Sequence, residues 1–303
     1  MNITIGEPTK PLAWWEVEGG GGTCCCDIVG GRDGLAGGTW LASNRDGRVA
    51  FLTNVREDES IPQAKSGGHL PVRFLEPWIT DPTLIFWIVD PVTINPVSQT
   101  CVMILYAMRS IEFRFTGSLV QNPDFQSKKH PSEFAEELVK EADQYNGFNL
   151  IIADLCSKTM VYITNRPKQD KVSAIQVSPG IHVLSNARLD SPWPKAERLR
   201  HSFKDQLARY GDGEVCVKEM VEKLMRDTVK DDKSMLPHIY PVEREYQMSS
   251  IFVEEETPSG RHGTRSTSAL SVKASGEVNF HETYLEKEFW KEKSVTYQIE
   301  MMK

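Results

Sequence analysis

Residues Asp33 to Asn54, DGLAGGTWLASNRDGRVAFLTN, decide how the rest of the chain is read. Glycines lead into a short apolar strand, Gly38 to Ala42. The chain then turns at Asn44-Arg45-Asp46-Gly47 and returns as Arg48 to Thr53. Asp-Gly between two β-prone runs is a β-hairpin signal. The return strand stops on Thr53-Asn54, where the apolar pattern ends. An amide at the end of a buried strand either caps a turn or stands where a binding or oxyanion group can sit.

Working outward, the rest of the chain alternates short strands and amphipathic helices. Ser132 to Tyr145 predicts a helix, with Ser132 as N-cap after Pro131 and with Phe134, Leu138 and Ala142 on one face. Asn146-Gly147 stops it. Strands are expected at Phe148 to Leu155 and Met160 to Thr164, joined at Ser157-Lys158. A further pair is expected at Ser173 to Ser178 and Gly180 to Ser185, turning at Pro179-Gly180. Pro192 and Pro194 open a second helix, with Leu199, Phe203, Leu207 and Tyr210 inward and Gly211 and Gly213 at its end. Glu214 to Val229 reads as a third. The C-terminal part reads as strands at Ser249 to Val253, Ser268 to Lys273, Glu277 to Tyr284 and Ser294 to Met301, with Ser275-Gly276 as a hairpin turn. Strands, then helices, then strands, joined by tight hairpins, give an α+β class with antiparallel sheets packed against helices. The regular alternation of a doubly wound fold is absent, and no glycine cluster forms a strand-to-helix phosphate loop.

Composition bounds the function. The chain has 303 residues, 40% hydrophobic and 25% charged, as expected of one large domain or two small ones. A net charge of −7 argues against a nucleic-acid binder. The six cysteines include the run Cys24-Cys25-Cys26 and show no zinc-type spacing. Adjacent cysteines bridge poorly, so a reducing compartment is the simplest expectation. A soft-metal or lipidation role for the triplet is the weaker reading. The seven histidines are dispersed and no metal ligand is assigned. No apolar run approaches the roughly 20 residues of a spanning helix, so no transmembrane segment is expected.

Residues Pro77 to Gln126 break the pattern. They are apolar, interrupted by five prolines, and follow neither helix nor strand period. The abrupt edges suit an insertion, from retained non-coding sequence or an unusual splice form, lying outside the core of a single 1–303 domain; a genuine surface subdomain is the other reading.

Five blocks in order carry a resemblance: GGTWL with the hairpin, LTN at Leu52 to Asn54, YNGFNL at Tyr145 to Leu150, LSNA at Leu184 to Ala187 with Pro192-Trp193, and GTRST at Gly263 to Thr267. They resemble the transport and Golgi organization protein 2 family, also called the NRDE family. The resemblance implies an N-terminal nucleophile hydrolase-like αββα sandwich, whose members begin Met-Cys and follow with an NRDE loop. This chain departs there. It begins Met1-Asn2, only Gly6-Glu7 precedes Pro8-Thr9-Lys10-Pro11, and Asn44-Arg45-Asp46 is a hairpin turn rather than that loop. The expectation is therefore a sandwich lacking its first strand, with no catalytic residue.

By analogy, Asn54 and Asn186 are the site amides and Arg265 the site guanidinium, suited to a small anionic or carbonyl ligand. The resemblance further implies roles in Golgi organisation and protein secretion, with haem or lipid movement. Haem enters as transported ligand rather than as a fixed cofactor. The implied location is cytoplasmic, Golgi-associated or mitochondrial. Two alternatives stand beside this ligand-handling reading. One is an N-terminal cysteine amide or thioester hydrolase, disfavoured by Asn2. The other is an inactive splice or gene-model variant.

Overall fold

The computed structural model describes residues 13–14, 28–32, 38–57, 61–76, 103–107, 129–168, 172–211, 213–257, 260–286 and 288–299. The hairpin that opens the sequence reading is present. Strand β3 (Leu41–Asn44) turns through Gly47, at φ +82°, into β4 (Arg48–Asn54). Glycine adopts this left-handed backbone without the steric cost a Cβ imposes.

The hairpin is the centre of a larger sheet. Its seven strands run β1 (Ala13–Trp14), β2 (Ile28–Arg32), β3, β4, β6 (Phe148–Asp154), β7 (Thr159–Thr164) and β8 (Ser173–Gln176), every neighbouring pair antiparallel. Strand β2, which the sequence reading did not assign, precedes the hairpin and pairs with β3. It uses Gly30 where a Cβ would stand 2.4 Å from the Leu41 carbonyl oxygen.

Period-two alternation assigns the two faces of this sheet. Ala50, Leu52, Leu150, Ile152 and Ile163 pack on helices α1 (His69–Leu75) and α2 (Pro131–Val139) through Leu70, Phe74, Phe134 and Leu138. Val49, Phe51, Ile151, Ala153 and Tyr162 face the other way, onto Val278, Phe280, Tyr297 and Ile299. Val278, Phe280 and Tyr297 belong to a second, antiparallel sheet of β12 (Ser266–Val272), β13 (Glu277–Glu286) and β14 (Phe289–Gln298), and Ile299 follows β14 directly. A second helical group covers this side. Helix α3 (Pro194–Tyr210) packs on β9 (Gly180–Leu184), and α4 (Val217–Leu224) on β12 and β13. The order is helices, sheet, sheet, helices, which is the α+β class expected. Each buried Leu, Ile or Phe across these layers contributes about 1.5–3 kcal/mol.

Several boundaries differ from expectation. Helix α2 begins one residue earlier and stops at Val139, with a 3₁₀ turn at Ala142–Gln144 completing the segment. His130, not Ser132, caps it: its ring accepts from Ser132 N–H and Glu133 returns to His130 N–H, so Pro131 can take N1 where no amide donor is needed. Helix α4 is shorter than the run from Glu214 to Val229 because Cys216 is extended and the chain leaves the helix at Met225. Strand β8 does not pair with β9. It joins β7, while β9 pairs with β5 (Met103–Ala107). Ser249 to Val253 is irregular, and a strand begins only after it, at β10 (Glu254–Thr257), paired with β11 (Gly260–Gly263). A short helix, α5 (Val242–Gln247), was not expected. Of residues 77–126 only β5 is described. The chain start and the Cys24-Cys25-Cys26 run lie outside the described residues.

Candidate functional site

Strand β4 ends beside the segment that follows β9, and the two are laced together. Thr53 Oγ1 donates to the Ser185 carbonyl at 2.9 Å. The Asn186 side-chain amide donates to the Asn54 carbonyl at 2.8 Å, and Arg56 N–H donates to the Asn186 carbonyl at 2.7 Å. Asn186 is buried and Asn54 exposed. Two of the three expected site residues are therefore direct neighbours.

Asn149 organises this junction from β6 and is fully buried. Its Nδ2 donates to Thr53 Oγ1 at 3.1 Å and to the Ala187 carbonyl at 2.8 Å. Its Oδ1 accepts from the Tyr162 hydroxyl at 2.7 Å. Burial pushes that phenol's pKa up, so it remains a donor. Thr53, Asn149 and Tyr162 all lie on the inter-sheet face, so the network closes one end of the inter-sheet core with polar groups. A cavity of about 290 Å³ opens beside it, lined by Tyr162, Thr164, Ser173, Arg188 and Asp190 among others. At its rim both ring nitrogens of His182 are taken, by Asp190 Oδ2 at 2.7 Å and by the Ser178 carbonyl at 2.8 Å. That histidine holds a loop and is not poised as a base.

Arg265 lies on the facing sheet, one residue before β12. Its carbonyl accepts from Leu285 N–H at 2.8 Å and its side chain is exposed. The register indicates which end it occupies. Tyr297, paired with Val278, donates its hydroxyl to Ser43, whereas Glu282 sits against Gly31 and Trp40. From Val278 to Glu282 and on to the Tyr284–Ser266 pair, the second sheet advances toward the end at which Trp40 and Thr53 lie. Arg265 thus lies toward the Thr53 end of the inter-sheet space, on the opposite wall, whereas Asn54, in step with Ala50 and Leu52, belongs to the face of the large sheet that α1 and α2 cover.

Three further polar residues belong to this region. The Arg56 guanidinium carbon lies 5.3 Å from the Trp193 ring centre and 5.8 Å from that of Tyr240. Burial lowers the pKa of Arg56, against the opposing charge of Glu245. Glu57 holds the adjoining loop, accepting two hydrogen bonds from Arg166 and one from Gly147 N–H. Glu282 is 1% exposed between the sheets. Burial lifts its carboxyl to about 7, with the Ser266 and Ser268 hydroxyls pulling the other way. Neither serine reaches hydrogen-bond geometry with it, and both carboxyl oxygens lack a partner among the described residues. The serines are therefore neighbours rather than bonded partners.

Sequence reasoning missed Asn149, Arg56 and Glu282. Asn149 had a signal, a lone amide inside the apolar run Phe148 to Ala153. Arg56 looked like one more charge in a turn-rich stretch, and Glu282 like the polar side of a strand.

Against known proteins, a sequence model of the family described as Transport and Golgi organisation 2 matches residues 5–84 and 109–287. A mouse protein named Transport and Golgi organization 2 homolog is 23% identical over 290 residues, covering 90% of this chain and 83% of its own. A human protein named Transport and Golgi organization protein 2 homolog is 26% identical over 266 residues, covering 84% and 76%. A bovine protein of that name is 24% identical over 272 residues, covering 84% and 76%. Among the described residues, no helix is long and apolar enough to cross a membrane.

Proposed function

Since the chain belongs to the transport and Golgi organisation 2 family, we propose that it handles a small ligand in a trafficking role and does not turn that ligand over. In this reading the ligand is haem or a lipid. Its anionic or carbonyl end is held by Asn54, Asn186 and Arg265, and the protein works in the cytoplasm, at Golgi or mitochondrial surfaces. The scaffold is the N-terminal nucleophile hydrolase-like sandwich, which the helix–sheet–sheet–helix order supports. Residues 77–126 are an insertion in one 1–303 domain. The family match skips residues 85–108, which fall inside that segment.

The observation that supports the binding reading is the hydrogen bond from Asn186 to the main chain of Asn54 at the end of β4. Around it stand amides, hydroxyls and guanidinium groups, the donors that hold a carboxylate or carbonyl. The nearby hydroxyl of Ser185 has no base within hydrogen-bond reach among the described residues, so it is not an activated nucleophile.

The test is to titrate haemin and oleate separately into the protein and follow tryptophan fluorescence. Saturable binding that weakens in Arg265→Ala supports the reading. No binding of either overturns it, as does amide or thioester hydrolysis that survives Arg265→Ala.

A further inference from the structure

Arginine side chains in contact with aromatic rings are common, but Arg56 has an unusual set of surroundings. Its Nη2 is buried and has no hydrogen-bond acceptor among the described residues. No carboxylate forms an ion pair with it among those residues. Glu245 acts on it as an opposite charge, but its two oxygens are already committed to the backbone N–H groups of His238, Ile239 and Tyr240. Glu57, the next residue, is engaged by Arg166 and Gly147. A buried guanidinium N–H left without an acceptor is costly, so a group that supplies one is bound with corresponding gain.

Position makes this a ligand question. Arg56 is tied through its own N–H to the Asn186 carbonyl, and Asn186 is tied to Asn54. The hydroxyl of Ser185, one residue before Asn186, is also buried with no partner among the described residues. Unused donors therefore lie along both segments of the junction.

We propose that Arg56 is the anion anchor of this site, and that the anion is a single carboxylate carried on an apolar body. This rests on the ligand-handling reading above and names the residue that supplies its charge. Two observations choose the chemistry. The carboxylates next to it, Glu57 and Glu245, are both engaged by other donors, which leaves a single guanidinium to meet a single carboxylate. The rings of Trp193 and Tyr240 lie beside the guanidinium, surroundings that favour an apolar body behind the carboxylate. The planar fork of arginine matches a carboxylate through two parallel hydrogen bonds, a match that lysine does not make.

The experiment compares oleate with methyl oleate, its neutral ester, on the full chain. The readout is quenching of tryptophan fluorescence, which reports on Trp193 among others. Wild type is expected to bind oleate at least about tenfold more tightly than the ester. Arg56→Gln should weaken oleate by about tenfold to a hundredfold, as expected for loss of a charged hydrogen bond, and leave the ester unchanged. Arg56→Lys should recover only part of the loss. Equal affinity of wild type for acid and ester overturns the proposal without any variant, so the test survives if Arg56→Gln does not fold. Oleate binding that is lost in Arg265→Ala and unchanged in Arg56→Gln overturns this assignment alone. No binding of either probe to wild type overturns it, and overturns the ligand-handling reading too only if haemin also fails to bind.

Discussion

Asn186 donates its side-chain amide to the main-chain carbonyl of Asn54 at 2.8 Å, across 132 residues of sequence. This bond joins the last residue of β4 to the segment after β9, so it ties the large sheet to the strand that α3 covers. It requires a donor at Asn186. Asn186→Asp places a carboxylate oxygen against a carbonyl oxygen and should destabilise at least as much as Asn186→Ala, each by about 1–2 kcal/mol. Urea unfolding of the two variants measures this. An Asp variant as stable as wild type would show that the amide is not donating there.

Asn149 is the more damaging position. It makes three hydrogen bonds with both ends of its amide, to Thr53, Ala187 and Tyr162. Replacing it with Ala strands the Tyr162 hydroxyl and the Ala187 carbonyl in the interior. The expected loss is about 2–4 kcal/mol, because a buried polar group left unpaired costs its full desolvation. Asn149→Leu fills the volume but satisfies neither group, so it should not rescue. The check is thermal unfolding of both variants, with recovery in the Leu variant as the contrary outcome.

The sequence alone exposed the hairpin, the second helix and the β12–β13 turn, because each is written in local chemistry. Gly47 and Gly276 sit at positive φ where a turn demands it, and Pro194 stands at the first position of α3. Pairing was less legible. Nothing local to Ser173–Gln176 says that it prefers β7 to the strand after Pro179-Gly180, since a tight turn between two β-prone runs fits either arrangement. The partner is chosen by the sheet edge that β7 offers. Of the candidate site, the motif blocks pointed to Asn54 and Asn186, whose segments the fold joins, whereas Arg56 is recognisable only once Trp193 and Tyr240 are seen beside it. Glu282 alternates in register with Val278 and Phe280, but a carboxylate on the apolar face contradicts the pattern by which faces are assigned.

That carboxylate makes stability depend on pH. Burial raises the Glu282 pKa from 4.5 to about 7 in the folded protein. The folded state therefore holds its proton more tightly than the unfolded chain does. The stabilisation is fully present below about pH 4.5 and is lost as pH rises through about 7. Glu282→Gln keeps the shape and removes the titration. Between pH 5 and pH 8, wild type should lose on the order of 1–3 kcal/mol that the Gln variant retains. Urea midpoints at the two pH values measure the difference, and parallel pH profiles would show that Glu282 is already compensated. Gly31→Ala tests the same niche from the facing strand: its Cβ would stand 2.8 Å from Glu282 Oε1 and 3.0 Å from Trp40 Cζ2, so it should destabilise at either pH.

The last prediction concerns residues 77–126. Arg48 is buried at 4% exposure and reaches both sides of this segment. Its Nη1 donates to the Phe74 carbonyl at 2.6 Å and its Nη2 to the Lys129 carbonyl, with the guanidinium 4.5 Å from the Phe74 ring centre. One planar side chain therefore holds the point where the chain leaves α1 and the point where it returns ahead of α2. Two carbonyls bound by one guanidinium lie within roughly 8 Å, since each hydrogen bond is about 3 Å. A join of two or three residues spans that distance. Deleting 77–126 with such a join should leave a cooperative thermal transition and raise solubility by removing an apolar, proline-broken stretch. The deletion also removes β5, whose five residues pair with β9, so a modest fall in the midpoint is expected. Loss of the cooperative transition would show that the segment is structural. Arg48→Ala should destabilise the full-length chain by about 2–4 kcal/mol, because two buried carbonyls lose their donor. Arg48→Lys should restore only part of that, since a single ammonium does not reproduce the fork that binds both carbonyls.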